Sequence, residues 1–159
     1  MSGPPEATEA ERAVLRRCID RALAAATTGG TAGISAAVMR GDTLLAIAEN
    51  EVHLHNDPSR HAEIVAMSRA GRALDDADLS GCTLISTLQP CEMCLAAMRF
   101  AGIDRVIFAA TKPNVPLDKY FRFPGLETED FNRADHAGFT AIGGVEEARI
   151  VHLYALKQD

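Results

Sequence analysis

The chain has 159 residues, which is enough for one domain with a substantial core and short for two. Hydrophobic residues make up 47% of the sequence and charged residues 24%, as is typical of a soluble globular protein. The net charge is −6 and no run of lysine or arginine occurs, which speaks against binding to a long nucleic acid. The charge therefore favours a small, uncharged or weakly charged substrate.

The first residues have neither the basic region nor the apolar stretch of a signal peptide, and no apolar run reaches the length of a membrane span. We therefore expect a cytoplasmic protein whose cysteines stay reduced and which has no membrane partner. Cys18 and Cys82 lie among apolar residues and are expected to be core side chains. Cys91 and Cys94 form a Cys-x-x-Cys pair, which in a reducing compartment usually binds metal or carries redox chemistry.

The first half of the chain predicts a helix, a hairpin and a second helix. Thr8 and Glu11 match a capping box, and apolar residues follow at helical spacing. The predicted elements are a helix that ends at Gly29-Gly30, strands at 34–39 and 43–49 joined at 41–42, a polar loop at 50–60, and a helix whose apolar face is Ile64, Met67, Gly71 and Leu74.

The second half alternates strands and helices. Its predicted elements are strands at 82–88, 104–110 and 139–142, helices at 91–101 and 145–157, and an irregular segment at 112–136. Strands that alternate with helices predict a layered α/β domain. No linker or repeat divides the sequence, so we expect residues 1–159 to form a single domain.

An irregular segment as long as 112–136 suggests a specific structural or functional role, because long structureless loops are uncommon in compact domains. It contains half of the aromatic residues of the chain, namely Tyr120, Phe121, Phe123 and Phe131. Aromatic side chains chiefly fill space, so the cluster predicts a segment packed onto the domain or against a dimer partner. The alternative is a lid that stacks on the flat ring of a substrate.

Cys91, Cys94 and His61 together offer two thiolates and one imidazole, which suit zinc. Cys91 and Cys94 are spaced i, i+3 and share a helix face, and they follow Pro90 at a helix start, where the helix dipole favours thiolates. His61 comes from the start of a different helix. Three protein ligands leave a fourth position for water, as in a catalytic zinc site.

Glu63 follows His61 by two residues and is the candidate proton carrier. On a regular helix the two side chains would point apart by about 200°, so His61 must lie at the irregular start of its helix. Glu63 could then accept a proton from a zinc-activated water and deliver protons to a substrate ring nitrogen and to the leaving amine.

Other interpretations of these residues remain open. The Cys-x-x-Cys pair alone is also typical of redox sites or of half of a structural zinc site, in which His53 or His55 could supply the fourth ligand. His136 and His152 have no partner motif and are expected at the surface or in caps. The two motifs together, about thirty residues apart, are far more specific than either one.

His61-Ala62-Glu63 with Pro90-Cys91-Glu92-Met93-Cys94 resembles the cytidine/deoxycytidylate deaminase superfamily, whose signature is H-x-E…P-C-x-x-C. Residues 56–63 resemble the corresponding stretch of bacterial guanine deaminases and tRNA adenosine deaminases. Residues 87–94 are similar to those families and to fungal cytosine deaminase. The resemblance runs from about Gly33 to Ala110.

The resemblance implies a three-layer α/β/α fold with a central five-stranded mixed sheet. It implies one zinc ion per chain with a bound water or hydroxide, held by His61, Cys91 and Cys94, and Glu63 as the general acid and base. The expected reaction is hydrolytic removal of an exocyclic amine, as ammonia, from a free nucleobase or nucleoside. A guanine-like aminopurine and a cytosine- or triazine-like ring are the candidate substrates, and a homodimer is expected.

By the same resemblance, Asn50, the Ala62 N–H and the carbonyl beside Pro90 are candidate substrate contacts. Phe123 is a candidate stacking residue in the 112–136 segment, which is the candidate lid or dimer segment. Arg60 is expected to be a solvated cation, the alternative being a contact to a ribose or phosphate. The alternative functions are a tRNA-editing adenosine deaminase, which the acidic charge disfavours, and a non-catalytic zinc-stapled binding module.

Overall fold

The computed structural model describes residues 3–28 and 33–155. Its helices are α1 (Glu9–Thr27), α2 (Val52–His55), α3 (Ala62–Leu74), α4 (Glu92–Phe100), α5 (Leu117–Tyr120), α6 (Thr128–Ala134) and α7 (Val151–Ala155). Its strands are β1 (Ser35–Arg40), β2 (Thr43–Glu49), β3 (Cys82–Leu88), β4 (Arg105–Ala110) and β5 (Thr140–Ile142). Single 3₁₀ turns lie at Lys112–Asn114 and Glu147–Arg149.

The five strands form one mixed sheet in the order β2-β1-β3-β4-β5. β1 is antiparallel to both β2 and β3, whereas β3, β4 and β5 run parallel. The hairpin turns at residues 41–42, where Gly41 has a positive φ of 58° that a glycine adopts without strain. The mixed five-stranded sheet expected from the resemblance is confirmed.

Helices cover both faces of the sheet. Ala37 and Met39 of β1 pack in the cluster that contains α1 and α7, whereas Ala36 and Val38 pack in the cluster that contains α3 and α4. Successive strand residues point to opposite faces, so a strand buried on both sides is apolar throughout. The three-layer architecture is therefore confirmed, and Cys18 and Cys82 are buried as expected.

Helix α1 begins at the predicted capping box. The Thr8 N–H donates to Glu11 Oε1 at 2.7 Å, and the Glu11 N–H donates to Thr8 Oγ1 at 3.1 Å. The helix ends at Thr27, and the predicted stop at Gly29-Gly30 lies outside the described residues. Within the described ranges, no helix combines the length and the apolar character needed to cross a membrane.

The 112–136 segment is not irregular, and that prediction was wrong. It contains one 3₁₀ turn and helices α5 and α6, which are too short to show an apolar period. Helix α6 begins at an acidic capping box, in which the Glu127 N–H donates to Asp130 Oδ2 at 2.7 Å. A cap built from two acidic residues departs from the usual Ser/Thr…Glu pattern, which is why the sequence did not indicate it.

The closing helix is also shorter than the predicted 145–157. Gly144 and Glu146 have positive φ values of 79° and 57°, which interrupt a right-handed helix. Glu147 Oε2 accepts hydrogen bonds from the Thr111 N–H at 2.8 Å and the Thr111 hydroxyl at 2.9 Å. This contact holds the 3₁₀ turn at the end of β4, so that α7 starts only at Val151.

Candidate metal centre

His61, Cys91 and Cys94 converge on one point beyond the end of β3. His61 Nδ1 lies 3.5 Å from Cys91 Sγ and 3.6 Å from Cys94 Sγ, and the two sulfurs are 3.7 Å apart. A tetrahedral zinc ion with ordinary bond lengths would place such nitrogen–sulfur pairs about 3.6 Å apart and such sulfur pairs about 3.8 Å apart. The three residues therefore fit one zinc ion per chain.

Two helix starts position these ligands. His61 is the residue before α3 and has extended backbone angles, φ −62° and ψ 157°. Cys91 holds the same position before α4, with φ −70° and ψ 175°. The Gln89 N–H donates to the Ala110 carbonyl at 2.8 Å, which fixes the chain between β3 and α4. The condition that His61 must lie at the irregular start of its helix is met.

The two thiols have unequal proton affinities. A hydrogen bond from Cys94, assisted by His61, lowers the pKa of Cys91 to about 4. The pKa of Cys94 is raised, because it donates to Cys91 and is buried. Cys91 is therefore ready to bind a cation as a thiolate, and a coordinated cation deprotonates the second thiol as well.

Glu63 lies beside the metal ligands and is almost fully buried, with 4% of its surface exposed. Its Oε2 accepts a hydrogen bond from the Ser86 hydroxyl at 3.2 Å. Burial and the negative charge of Cys91 raise the pKa of Glu63 to about 7. A carboxyl group in this setting exchanges protons near neutral pH.

A cavity of about 170 Å³ opens at the metal ligands. Its lining residues are Ile34, Asn50, His61, Ala62, Glu63, Leu88, Gln89, Cys91, Lys119 and Tyr120. The cavity adjoins a wider groove of about 940 Å³, which shares His61, Cys91, Lys119 and Tyr120 and is bounded mainly by residues 118–124, Leu126 and Phe131. A small enclosed space at the metal site therefore opens into a larger outer vestibule.

Of the four predicted substrate contacts, Asn50 and Ala62 line the cavity. The Asn50 Oδ1 accepts a hydrogen bond from the Val52 N–H at 2.9 Å, so the amide nitrogen is the group left for a ligand. Pro90 is buried and does not border the cavity, although its neighbour Gln89 does. Phe123 lines the outer groove, with 58% of its surface exposed.

Arg60 is not a solvated cation. Its side chain is 24% exposed, and Nη2 pairs with Glu51 at 3.2 Å. It lines neither the cavity nor the outer groove. In the part of the chain that the structure describes, His53 and His55 belong to no metal-binding group, and His55 Nε2 instead lies 3.1 Å from Glu51 Oε1.

His136 and His152 are exposed, as predicted. Ser86, Gln89 and Lys119 belong to the site but were not identified from the sequence. One feature of the sequence could have indicated Ser86: it and Thr87 are adjacent polar residues in a strand that is otherwise apolar except for Thr83. Buried polar groups need a hydrogen-bond partner, and for Ser86 that partner is Glu63.

Residues 8–110 match the family described as the cytidine and deoxycytidylate deaminase zinc-binding region. The chain belongs to this family. His61, Glu63, Cys91 and Cys94 all lie within the matched residues, so the resemblance seen in the two motifs is confirmed. The zinc ion expected from that resemblance is supported both by the family and by the geometry of the three ligands.

Known members of this deaminase family are similar to the chain over part of their length. Guanine deaminase of Bacillus subtilis is 34% identical over 96 residues, which are 58% of this chain and 62% of that protein. The tRNA-specific adenosine deaminase of Aquifex aeolicus is 37% identical over 81 residues, 51% of this chain and 54% of that protein. The matched part of the chain thus spans only about half to three-fifths of these curated relatives.

A solved structure of guanine deaminase from Nitrosomonas europaea is 26% identical to the chain and has a TM-score of 0.74. The match covers 96% of this chain and 85% of that one. The similarity therefore extends beyond the family's zinc-binding region and includes most of the 112–155 segment.

Proposed function

We propose that the protein is a zinc-dependent hydrolytic deaminase of a free aminopurine such as guanine. The observation that carries the proposal is the small cavity lined by the metal ligands His61 and Cys91, by the buried Glu63 and by Asn50. Its volume of about 170 Å³ lies below the range of sites that enclose drug-sized ligands, and it suits a single base. A nucleoside would have to extend into the outer groove.

His61, Cys91 and Cys94 would hold the zinc, which supplies Lewis-acid activation of water. Glu63 lines the cavity together with His61 and Cys91, so it would accept a proton from that water as the water oxygen bonds to the ring carbon that carries the amine. It would pass this proton to the ring nitrogen, then take the proton of the newly attached hydroxyl and pass it to the amine, so that the carbon–nitrogen bond breaks, ammonia departs and a carbonyl remains on the ring. Ser86 holds the Glu63 carboxyl from the strand side.

Asn50 and Tyr120 would bind the base. With Oδ1 held by the Val52 N–H, the Asn50 amide can donate to an acceptor on the ring. Tyr120 borders the cavity and offers an aromatic surface for stacking. Solved structures similar to this chain include complexes with 8-azaguanine and with 2,6-diaminopurine, which supports a purine in this position.

Deamination of adenosine in tRNA is the second candidate function. The Aquifex aeolicus relative carries that name, and the outer groove would give a nucleotide chain access to the cavity. The net charge of −6 weighs against it, because phosphate contacts dominate nucleic-acid affinity.

We also propose that the chain forms a homodimer. Helices α3 and α4 border a groove of about 640 Å³, lined in part by Ile64, Met67, Ala97 and Ala101. Phe100, at the end of α4, is 94% exposed, which is unusual for a large apolar side chain. Sedimentation of the purified protein at several concentrations tests this proposal.

An ammonia-release assay decides between the candidate functions. Zinc-loaded protein is tested with guanine, 2,6-diaminopurine, adenine, cytosine, triazines and the matching nucleosides, and tRNA is tested separately for inosine. We expect the highest kcat/KM with guanine, a loss of about 10³-fold or more in Glu63→Gln, and little change in Glu6→Gln, which is exposed and lines neither the cavity nor the outer groove. Equal ammonia release by wild type and Glu63→Gln would contradict a catalytic site, and inosine formation alone would favour tRNA.

A further inference from the structure

Lys112 is a buried lysine whose ammonium group is fully used. Only 4% of the residue is exposed. Its Nζ donates to the Pro124 carbonyl at 2.6 Å, to the Leu126 carbonyl at 2.6 Å and to Glu127 Oε1 at 3.3 Å. An ammonium group has three N–H donors, so one turn of the chain, which we define as the 121–128 turn, occupies all of them.

The surroundings compensate for burying this charge. The Phe121 ring lies 5.4 Å from Nζ and provides a cation–π contact. Glu127 supplies the opposite charge, while 57% of its own side chain stays exposed. An unpaired buried ammonium is costly, so this ion and the turn that surrounds it depend on each other.

The 121–128 turn is also tied to the chain that leads into the metal site. The Gln89 side chain accepts a hydrogen bond from the Lys112 N–H at 2.8 Å and donates to Thr128 Oγ1 at 3.3 Å. The Arg122 N–H donates to Glu92 Oε2 at 3.4 Å. Gln89 and Glu92 flank Cys91 in the sequence, so Lys112 and the metal-binding chain hold the turn together.

Phe121 anchors the start of the turn in the core, with 6% of its surface exposed, but the rest of the turn has little buried apolar surface. Phe123 and Leu126 are 58% and 42% exposed, yet both line the outer groove that reaches His61 and Cys91. Segments with little buried apolar surface open readily unless specific contacts hold them. The polar contacts of Lys112 therefore hold the part of this wall that lies beyond Phe121.

We propose that Lys112 is a positioning residue for the substrate: its three hydrogen bonds hold the 121–128 turn closed beside the metal site, so that the wall carrying Phe123 is formed before substrate binds. This inference rests on the proposed deaminase function. It assigns Lys112 to substrate binding and not to the chemical step, because its ammonium contacts the turn and lies outside the lining of the cavity.

The experiment compares Lys112→Met with Arg133→Met in zinc-loaded protein. Arg133 is a cation of the same segment whose exposed side chain pairs only with Asp130 on the surface, among the contacts described for residues 33–155. For Lys112→Met we expect a KM for guanine raised about tenfold, with kcat changed by less than about threefold. Trypsin cleavage after the exposed Arg122 should be about tenfold faster, because the turn opens. Arg133→Met should leave both measurements near wild type.

Two further measurements separate positioning from folding and from the function itself. Zinc content and the unfolding midpoint show whether Lys112→Met is folded. Glu127→Gln removes the charge that pairs with Lys112 but keeps a side-chain oxygen that can accept the hydrogen bond of the α6 cap, and it should shift KM and cleavage in the same direction by about twofold to threefold. Unchanged KM and unchanged cleavage in both variants would overturn the proposal, as would a fall in kcat at constant KM. If wild type deaminates nothing, the proposed function fails, whereas the trypsin measurement still decides whether Lys112 holds the turn.

Discussion

Ser86 and Glu63 form a buried pair across the sheet and α3, with the Ser86 hydroxyl donating to Glu63 Oε2 at 3.2 Å. The same hydroxyl oxygen accepts a hydrogen bond from the Leu88 N–H at 3.3 Å. The backbone of β3 thus fixes the serine, and the serine fixes the carboxyl. Strand β3 therefore orients the Glu63 carboxyl, the candidate proton carrier, through Ser86.

Replacing Ser86 by alanine is expected to lower kcat for the preferred base by about tenfold to a hundredfold, because a hydrogen bond to a charged group contributes roughly 1.5–3 kcal/mol. KM should change little, since Ser86 does not line the cavity. Steady-state kinetics on zinc-loaded protein measures both constants.

The neighbouring residue provides the control for this prediction. Thr87 is also buried, but its Oγ1 lies 2.6 Å from the Tyr154 hydroxyl on the other face of the sheet. Thr87→Val should therefore lower the unfolding midpoint while kcat stays within about threefold of wild type. Equal loss of kcat in the two variants would show that Ser86 acts only through stability.

Tyr154→Phe should destabilise the fold. The Tyr154 hydroxyl lies 2.6 Å from Thr87 Oγ1 and donates a hydrogen bond to the Gly33 carbonyl, also at 2.6 Å. It thereby joins α7 to the chain just before β1 and to the end of β3. Its removal leaves two buried groups without this partner, so the free energy of unfolding should fall by about 1–3 kcal/mol. Urea unfolding of both single variants and the double variant measures their coupling.

The double variant with Thr87→Val makes this prediction specific. If the two hydroxyls act as one hydrogen-bonded unit, the double variant loses less stability than the sum of the single variants, by about 0.5 kcal/mol or more. Strict additivity would mean that the contact at 2.6 Å does not contribute to stability.

The regular elements beside the metal site were predicted correctly from the sequence. Strand β3 was predicted with its observed bounds, 82–88, because a run rich in apolar and β-branched residues is bounded by Gly81 and by the Gln89-Pro90 pair. His61, Cys91 and Cys94 could be grouped because each motif opens a helix, and the spacing of the motifs is specific. Local sequence patterns were sufficient to predict an element wherever the spacing of its apolar residues and the residues that bound it indicated the same helix or strand.

Local sequence patterns could not predict contacts between residues that lie far apart in the chain. The burial of Lys112 depends on carbonyls of a turn twelve to fourteen residues away, and no sequence period indicates backbone acceptors. Arg60 was expected in solvent, but its partner Glu51 lies nine residues earlier, across the loop that contains α2. Short helices such as α5 and α6 depend on tertiary contacts more than on propensity, which is why residues 112–136 were predicted to be irregular.

The ion pair between Glu11 and Arg105 should make stability depend on pH in the acidic range. Burial alone raises the pKa of Glu11, but the hydrogen bonds from Arg105 and Thr8 outweigh it, so the pKa lies below the ordinary value of 4.5. A carboxyl whose pKa is lower in the folded protein stabilises it above the unfolded pKa, and that stabilisation is lost as pH falls through the folded pKa.

Glu11→Gln tests this dependence. The difference in unfolding free energy between wild type and variant should be greatest near neutral pH and should shrink as the pH falls below about 4.5. Urea unfolding from pH 7 to pH 3 gives the difference at each pH. A difference that stays constant over this range would mean that the bonds at 2.8 and 2.9 Å from Arg105 do not favour the ionised carboxyl.

Cysteine substitutions should separate the metal site from the core. Cys91 and Cys18 are both buried, but only Cys91 lies in the group with His61 Nδ1 at 3.5 Å. We expect wild type and Cys18→Ala to carry about one zinc per chain and Cys91→Ser far less, because a hydroxyl is a poor zinc ligand. Since zinc binding stabilises only the folded state, a chelator should lower the unfolding midpoint of wild type and Cys18→Ala by several degrees and leave Cys91→Ser unchanged. Elemental analysis with thermal unfolding checks this, and full zinc occupancy in Cys91→Ser would exclude this ligand set.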